Sequence, residues 1–126
     1  YCGKSGCNEK VFAGPALERY YEKISGSHLG LKDIYERHLA GTDTFATETI
    51  ERLLTSFAKA ISSIINVLDP NIIVLGGGVS NIDLLYTEGV KRIENYIFNN
   101  RKVETIFLKP KLGDSAGVFG AAELVK

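Results

Sequence analysis

One segment decides the fold class of this 126-residue chain: Asp69-Pro70-Asn71-Ile72-Ile73-Val74-Leu75-Gly76-Gly77-Gly78-Val79-Ser80. Pro70 cannot extend a helix, so the helical pattern that precedes it must end in a turn. Residues 72–75 are all apolar and mostly β-branched, which is typical of a buried central strand in a parallel sheet. Three glycines end the strand. The segment therefore predicts a strand, a glycine turn and a following helix, as in α/β proteins.

Helical periodicity fills most of residues 15–68. Gly14-Pro15 opens a helix predicted over about 15–24, and a second helix ends at Gly41. The third and longest pattern has Asp43 or Thr44 as its N-terminal cap and keeps i, i+3, i+4, i+7 spacing over five turns. Its apolar face consists of Ile50, Leu53, Leu54, Phe57, Ile61, Ile64, Ile65 and Leu68. The pattern predicts a long amphipathic helix that ends before Pro70.

The remaining residues predict one more strand between two helices. A helix is expected over about 83–98. Residues 103–125 are expected to form a strand over 103–108 and then a final helix capped by Asp114 or Ser115. Gly117 and Gly120 would let backbones approach closely, and the six tyrosines and six phenylalanines are expected mainly in the core. The fold class is α/β, with parallel strands and flanking helices. Two strands are few for such a sheet and the chain has no methionine, so we expect residues 1–126 to be part of a larger protein.

The charge balance is neutral, because 15 Lys and Arg residues equal 15 Asp and Glu residues. No global field therefore draws the chain to nucleic acid or to anionic lipid. The longest apolar runs are far shorter than the roughly 20 residues that cross a bilayer. Two cysteines are too few to staple a secreted scaffold, and the start of the chain has no signal-peptide pattern. We expect a cytoplasmic protein with no nucleic-acid or membrane partner.

Two cysteines bracket a short glycine loop near the start of the chain, Cys2-Gly3-Lys4-Ser5-Gly6-Cys7. Thiolates at this spacing can both bind one Zn²⁺ when the glycines adopt positive φ. Two ligands do not complete a tetrahedral site, so a local disulfide or two free thiols explain the pattern as well. Glu9 follows the loop, and its carboxylate would accept hydrogen bonds from a polyol; a solvated surface glutamate is the alternative.

The turn Gly76-Gly77-Gly78 lies at the carboxyl end of a predicted parallel strand, where α/β proteins bind ligands. Glycines let a flat base or a phosphate lie against the backbone. At this turn neither the G-x-G-x-x-G fingerprint nor the Gly-Lys-Ser/Thr of a P-loop is present, so a purely structural turn remains an alternative to a ligand site. The corner that contains Asp114 and Ser115 is either a second nucleotide contact or a helix cap with close packing at Gly117 and Gly120. We expect His28 and His38 to be solvated or edge histidines.

Four motifs in this order strongly resemble the ROK family of bacterial sugar kinases and repressors. The resemblance covers the whole chain and corresponds to the C-terminal portion of a family member. The motifs are Tyr1-Cys2-Gly3-Lys4-Ser5-Gly6-Cys7-Asn8-Glu9, Ala13-Gly14-Pro15-Ala16-Leu17, the segment from Asp69 to Asn81, and Gly113-Asp114-Ser115-Ala116-Gly117-Val118-Phe119-Gly120-Ala121-Ala122. Ala13 departs from the serine that the family more often has at this position.

The resemblance implies an actin-like, ribonuclease-H-related ATPase fold, with ATP and a hexose in a cleft between two lobes. Cys2 and Cys7 match two ligands of a structural Zn²⁺, Glu9 matches a glutamate that contacts sugar hydroxyls, and Gly76, Gly77 and Gly78 match the adenosine motif. The cofactors implied are ATP, Mg²⁺ and Zn²⁺. The family's catalytic aspartate and phosphate loop match nothing here, so the chain holds no catalytic residue and is expected to be inactive by itself.

The motifs look most like the fructokinase/mannokinase branch, which implies phosphate transfer to the 6-hydroxyl of fructose or mannose. N-acetylglucosamine kinases share the Gly-Gly-Gly-x-Ser-Asn string, so an N-acetylhexosamine kinase is an alternative. A second alternative is the sugar-effector lobe of a ROK transcriptional repressor, and a third is a metal-stapled folding module without a ligand. The resemblance also implies a homodimer.

Overall fold

The structure is a computed structural model that describes residues 3, 6–98, 102–111, 113 and 116–124. Contacts between residues divide the chain into two compact units, Tyr1–Ile61 and Ser62–Lys126. Within the described residues, none of the helices combines the length and the apolar character that crossing a bilayer demands.

The first unit is built from helices: α1 (Asn8–Val11), α2 (Gly14–Ser25), α3 (Leu31–Ala40) and most of α4 (Thr44–Leu68). Pro15 occupies the first turn of α2, where its missing N–H is no loss. Gly26 and Gly41 end α2 and α3 in the left-handed conformation, with φ of 75° and 65°. The helices expected over 15–68 thus begin and end near the residues that signal these boundaries.

The core of the first unit lies between α2, α3 and the first half of α4. Leu17, Ile34, Ile50 and Leu53 are completely buried, and Phe57 is 3% exposed. These side chains come from the apolar faces of three helices whose spacing predicted amphipathicity. Burial of this face is the main source of stability for the unit.

A polar brace joins α2 and α3 to the start of α4. The Asp43 carboxylate accepts hydrogen bonds from the backbone N–H groups of Phe45 and Ala46, at 2.9 and 3.0 Å. Its other oxygen accepts one from the Tyr21 hydroxyl at 2.7 Å and lies 3.3 Å from the Arg37 guanidinium. The Tyr21 hydrogen bond, followed by the Ala46 N–H, lowers the pKa of Asp43 below its ordinary value. Asp43 is therefore the N-terminal cap of α4.

The second unit contains the sheet. Strands β1 (Ile72–Val74) and β2 (Ile106–Leu108) are parallel, with Ile72 opposite Ile106 and Val74 opposite Leu108. Two 3₁₀ helices, Gly78–Asn81 and Asp83–Leu85, and helix α5 (Glu88–Ile93) connect the strands, and α6 (Ala116–Glu123) follows β2. The α/β class with parallel strands is confirmed by this pairing.

The single helix expected over 83–98 is wrong. That range begins with the second 3₁₀ helix and contains only six α-helical residues, which form α5. Thr87 has φ and ψ of −114° and −86°, which no helix accepts, so it separates the two elements. Gly89 lies within α5 and weakens its helical preference.

The expectation that β1 is buried is also corrected. The side chains on one face of the sheet are about half exposed: Ile72 53%, Val74 58%, Ile106 56% and Leu108 44%. Within the described residues the sheet has two strands, so no third strand extends it. The apolar, β-branched sequence made these residues strand formers, but burial depends on a covering layer.

The expectation that the aromatic residues lie mainly in the core holds for some positions and fails for others. Tyr21 and Phe57 are buried, whereas Phe98 is 96% exposed and Phe119 is 54% exposed. In α6, a side chain added at Gly117 or Gly120 would meet nothing within 4 Å among the described residues. The close backbone approach expected at these glycines is therefore not seen there.

Candidate functional site

The carboxyl edge of the parallel sheet carries the candidate site. The Leu75 N–H donates a hydrogen bond to the Leu108 carbonyl at 3.1 Å, which extends the pairing one residue beyond β1. Gly76-Gly77-Gly78 follows β1 directly, and Lys109 follows β2. Since carboxyl ends of parallel strands meet at one edge, the glycine turn and Lys109 lie on the side of the sheet where α/β proteins bind ligands.

The glycine turn presents bare backbone. Gly77 has φ of 74° and ψ of 175°, a conformation open essentially only to glycine. A Cβ added at Gly76, Gly77 or Gly78 would meet nothing within 4 Å in the described part of the chain. The glycines are therefore not required for internal packing. They leave an open surface on which a flat ring or a phosphate can approach the peptide groups.

Ser80 holds this turn from behind. Its hydroxyl donates to the Gly77 carbonyl at 2.7 Å, and its backbone N–H donates to the same oxygen at 3.0 Å. The Ser80 side chain is buried, with 2% of the residue exposed. No role for Ser80 was predicted from the sequence. The signal was available, because serine three residues after a turn carbonyl is well placed to bond back to it.

Tyr86, Asp83 and Lys109 surround the back of the turn. The Tyr86 hydroxyl donates to the Ser80 carbonyl at 3.0 Å. Lys109 forms an ion pair with Asp83, and its Nζ lies 5.5 Å from the centre of the Tyr86 ring. Burial raises the pKa of Tyr86, so its hydroxyl remains a donor at neutral pH. These contacts tie the residue after β2 to the two 3₁₀ helices after the glycine turn.

The second candidate region is the start of the chain. Gly3 and Gly6 have φ of 69° and 74°, the positive values that the thiol loop was expected to need. Cys7 is a free thiol of intermediate exposure at the N-terminus of α1, and Glu9 lies exposed in the first turn of that helix. Cys2, the other expected zinc ligand, lies outside the described residues.

The described residues offer Cys7 as the one donor of this loop, and they contain no group of three His, Cys, Asp or Glu side chains that could hold a metal ion. A thiolate suits Zn²⁺ by its donor chemistry. The Glu9 carboxylate has no hydrogen bond or ion pair within the described part of the chain, which leaves both oxygens available to a ligand.

The two histidines have local partners. His28 Nδ1 lies 3.2 Å from Glu22 Oε2, and His38 Nδ1 lies 3.2 Å from the Thr47 hydroxyl. Both contacts connect neighbouring parts of the first unit. The expected cap residues Asp114 and Ser115 lie outside the described residues, and the nearby Gly113 has φ of 58°.

Comparison with known proteins gives the family. The ROK family profile matches residues 1–126, which is the whole chain. This chain belongs to the ROK family. ROK relatives named N-acetyl-D-glucosamine kinase, from Vibrio parahaemolyticus and Mannheimia succiniciproducens, are each 38% identical over 123 residues. The match includes 98% of this chain and 40% of each relative, so the chain spans about 40% of the length of these ROK proteins.

Solved ROK structures share the fold. A ROK family glucokinase from Streptomyces griseus, solved with glucose and AMPPNP, superimposes with a TM-score of 0.81 at 26% identity. The match covers 98% of this chain and 45% of that one. A ROK hexokinase from Thermus thermophilus gives 0.78 at 28% identity, covering 96% of this chain and 40% of that one.

Proposed function

We propose that this chain is part of an ATP-dependent kinase that phosphorylates a hexose at its 6-hydroxyl, and that it supplies parts of the adenosine and sugar sites. The observation that carries the proposal is the open glycine turn at the carboxyl edge of two parallel strands. Membership of the ROK family and similarity to kinases over 98% of this chain support it. The family's catalytic aspartate has no counterpart in these residues, so the proposal includes no catalytic residue in this chain.

In this proposal Gly76, Gly77 and Gly78 form one wall of the adenosine site. Side chains there would stand between a base and the backbone, and the turn has none. The Gly77 carbonyl is already fixed by Ser80, so the surface is organised before the ligand arrives. Preorganisation of this kind lowers the entropy lost on binding. Mg²⁺ bound with ATP neutralises charge on the transferring phosphoryl group.

Glu9 is proposed to bind sugar hydroxyls. Its position supports this role, because an exposed carboxylate in the first turn of a short helix has both oxygens available as acceptors. Charge-assisted hydrogen bonds to a carboxylate are stronger than neutral ones. Cys2 and Cys7 are proposed to hold a structural Zn²⁺ together with ligands outside this sequence. Such an ion would fix the loop that leads into the Glu9 helix.

The names of the relatives favour N-acetylglucosamine as the acceptor. The proteins that are 38% identical are named for that sugar, whereas the motifs alone pointed to fructose or mannose. Glucose is a further acceptor, supported by the Streptomyces griseus complex. We keep fructose and mannose as the second choice, because the sequence motifs look most like that branch of the family. A cytoplasmic location, which the low cysteine count favours, and a homodimer, which the family resemblance implies, complete the proposal.

The decisive experiment supplies the intact protein with Mg·ATP and a panel of N-acetylglucosamine, N-acetylmannosamine, glucose, mannose and fructose. We expect a hexose 6-phosphate and ADP, with the highest kcat/KM for N-acetylglucosamine. Preference for fructose or mannose would restore the expectation from the motifs. If no sugar yields a phosphate while ADP still binds, the kinase proposal is wrong and a sugar-sensing role replaces it.

The role of Glu9 is tested by Glu9→Gln, with Glu88→Gln as the matched control. Both glutamates are exposed first-turn residues of short helices. Loss of a charge-assisted acceptor at one hydroxyl corresponds to about 1–3 kcal/mol in sugar binding. We expect Glu9→Gln to raise the sugar KM and leave the ADP affinity unchanged, and Glu88→Gln to change neither. An unchanged sugar KM in Glu9→Gln would remove this residue from the site.

The zinc proposal is tested by elemental analysis of the intact protein and of Cys7→Ser. We expect bound zinc in the unaltered protein and its loss in the variant, because a thiolate ligand is replaced by a hydroxyl. Equal zinc content in both proteins would contradict the role of Cys7. A protein that contains no zinc and no free thiol at Cys7 would instead support the disulfide alternative.

A further inference from the structure

The hydrogen bond from Ser80 to the glycine turn belongs to a longer chain of hydrogen bonds that continues to Tyr86. The Tyr86 hydroxyl donates to the Ser80 carbonyl, and the Ser80 hydroxyl donates to the Gly77 carbonyl. The chain of contacts therefore ends on the residue of the turn with the most restricted conformation. Any role of Ser80 and Tyr86 in binding rests on the proposed nucleotide site at this turn.

The glycine turn depends on hydrogen bonds to its backbone, because its three glycines have no side chains that could pack. Gly77 has a backbone conformation available essentially to glycine alone, and glycine is the residue that loses the most conformational freedom on ordering. A Cβ added at Gly77 would meet no atom of the described residues within 4 Å. In the part of the chain that the structure describes, the hydrogen bonds to the Gly77 carbonyl come from Ser80, through its hydroxyl and its N–H.

Ser80 cannot itself contact a ligand, because only 2% of the residue is exposed. Tyr86 is held in turn by its surroundings. Its ring is partly buried, it lies 5.5 Å from Lys109 Nζ, and Lys109 is paired with Asp83. The Tyr86 hydroxyl thus reaches the Ser80 carbonyl from a fixed position. These contacts connect the end of β2 to the turn after β1.

We infer that Ser80 and Tyr86 are positioning residues for the adenosine site: they fix the peptide groups of Gly77 and its neighbours in the conformation that receives the nucleotide, without touching it. Removing either hydroxyl leaves the fold intact and lets the turn sample other conformations. The apparent affinity for a nucleotide then falls in proportion to the fraction of molecules that hold the binding-competent conformation.

The first test is Tyr86→Phe in the intact protein, with Tyr35→Phe as the matched control. Tyr35 stacks on His38, and its hydroxyl has no hydrogen bond in the described residues, so the control removes the same atom from a site without this role. We expect ADP affinity, measured by titration calorimetry, to fall about three- to tenfold in Tyr86→Phe, the range that one lost hydrogen bond corresponds to. The control should bind ADP like the unaltered protein.

Steady-state kinetics separate positioning from a general structural effect. We expect Tyr86→Phe to raise the KM for ATP and to leave kcat and the sugar KM unchanged, with the same midpoint of thermal unfolding as Tyr35→Phe. A loss shared by kcat, both KM values and the unfolding midpoint would overturn the inference. That result would mean the hydroxyl stabilises the unit as a whole.

Ser80→Ala provides the second arm. It should also weaken ADP binding, and in the double variant the two effects should combine to less than their product, because both act through one turn. Ser80→Thr, which keeps the hydroxyl, should recover most of the affinity. Fully multiplicative effects would overturn the shared chain of contacts.

Hydrogen exchange of the backbone amides of residues 77–80, without nucleotide, is a readout independent of binding. Faster exchange in Tyr86→Phe than in Tyr35→Phe supports the inference. If the unaltered protein binds ADP and Tyr86→Phe changes neither its affinity nor this exchange, the inference alone is overturned. If the unaltered protein binds no ADP, the proposed function and the inference both fail.

Discussion

Apolar side chains are covered more completely in the first unit than in the second, and α4 shows the difference within one helix. Leu53 and Leu54, in the first half of α4, are 0% and 2% exposed, whereas Ile64 and Leu68, on the same apolar face near its end, are 42% and 71% exposed. The helix is continuous and its residues were predicted as one amphipathic element. Periodicity therefore determines which face of a helix is suited to burial, and neighbouring elements determine how much of that face is covered.

The polar contacts of the two units also differ in how far they are buried. In the first unit Asp43 is only 11% exposed, and it joins α2, α3 and α4 through four hydrogen-bond donors. In the second unit the ion pair of Lys109 and Asp83 has side chains that are 57% and 72% exposed. The first unit is a packed, braced helical core. The second presents open backbone and exposed apolar surface, which is where the proposed nucleotide contacts are found.

The largest expected effect comes from the core of the first unit. Leu53→Ala should lower the free energy of unfolding by about 2–5 kcal/mol, because it removes buried methyl groups and leaves a cavity. Leu68→Ala, the same change in the same helix, should alter it by less than about 0.5 kcal/mol. Chemical denaturation of both variants of the intact protein measures the difference. A comparable loss from Leu68→Ala would mean that the end of α4 is covered in the intact protein.

The glycine turn should give the next largest effect. Gly77→Ala places a Cβ at φ of 74°, so it should cost about 1–3 kcal/mol in stability or force the turn into another conformation. Gly76→Ala is the matched control, since Gly76 has open space for a Cβ and no positive φ. We expect Gly77→Ala to weaken ADP binding more than Gly76→Ala. Equal behaviour of the two variants would show that backbone conformation at Gly77 is unimportant.

The Asp43 brace predicts a pH dependence. The pKa of Asp43 lies below its ordinary 3.8, chiefly because Tyr21 donates a hydrogen bond to it, so the folded state favours the charged form. This contribution to stability is complete above the ordinary pKa and is lost as pH falls through the lowered pKa. Asp43→Ala should cost about 0.5–2 kcal/mol at neutral pH. The difference from the unaltered protein should shrink below pH 3.8; a difference that stays constant on acidification would contradict the assignment.

The exposed ion pair of the second unit should matter least. Lys109→Met should change the free energy of unfolding by about 0–1 kcal/mol, because solvent screens an exposed pair and ordering two flexible side chains opposes it. The measurement is denaturation at low and at high salt, and the small loss should become smaller in high salt. A loss larger than that of Asp43→Ala would reverse the comparison between the two units.

Much of the fold followed from local signals. Pro15, Gly26 and Gly41 mark helix boundaries. Proline has no N–H and fits the first turn of a helix, and glycine adopts the left-handed conformation that ends one. The glycine turn followed from three residues without side chains after an apolar strand. The prediction of one helix over 83–98 failed at Thr87, whose backbone conformation interrupts the helix although the apolar spacing continues through it.

The candidate site was predictable in part. Glycines at the end of a strand indicate bare backbone, so the open turn at Gly76, Gly77 and Gly78 was predictable, while its role in nucleotide binding stays a prediction. The positive φ of Gly3 and Gly6 agrees with the expected loop. The roles of Cys2, Cys7 and Glu9 came from family resemblance and stay predictions. Tyr86 and Ser80 were missed as partners, because they are six positions apart across a short 3₁₀ helix and no periodic pattern predicts that the hydroxyl reaches that carbonyl.

The sequence alone determined the α/β class, the amphipathic faces, the ends of α2, α3 and α4 and the glycine turn, because each depends on the backbone preferences and apolar spacing of residues close together in the chain. Tertiary structure alone decided which apolar faces are covered, that Asp43 binds Tyr21 and Arg37, and that Tyr86 supports the turn through Ser80. These contacts join residues from separate elements. Their geometry depends on how the elements pack, and packing is a property of the whole unit rather than of any local stretch.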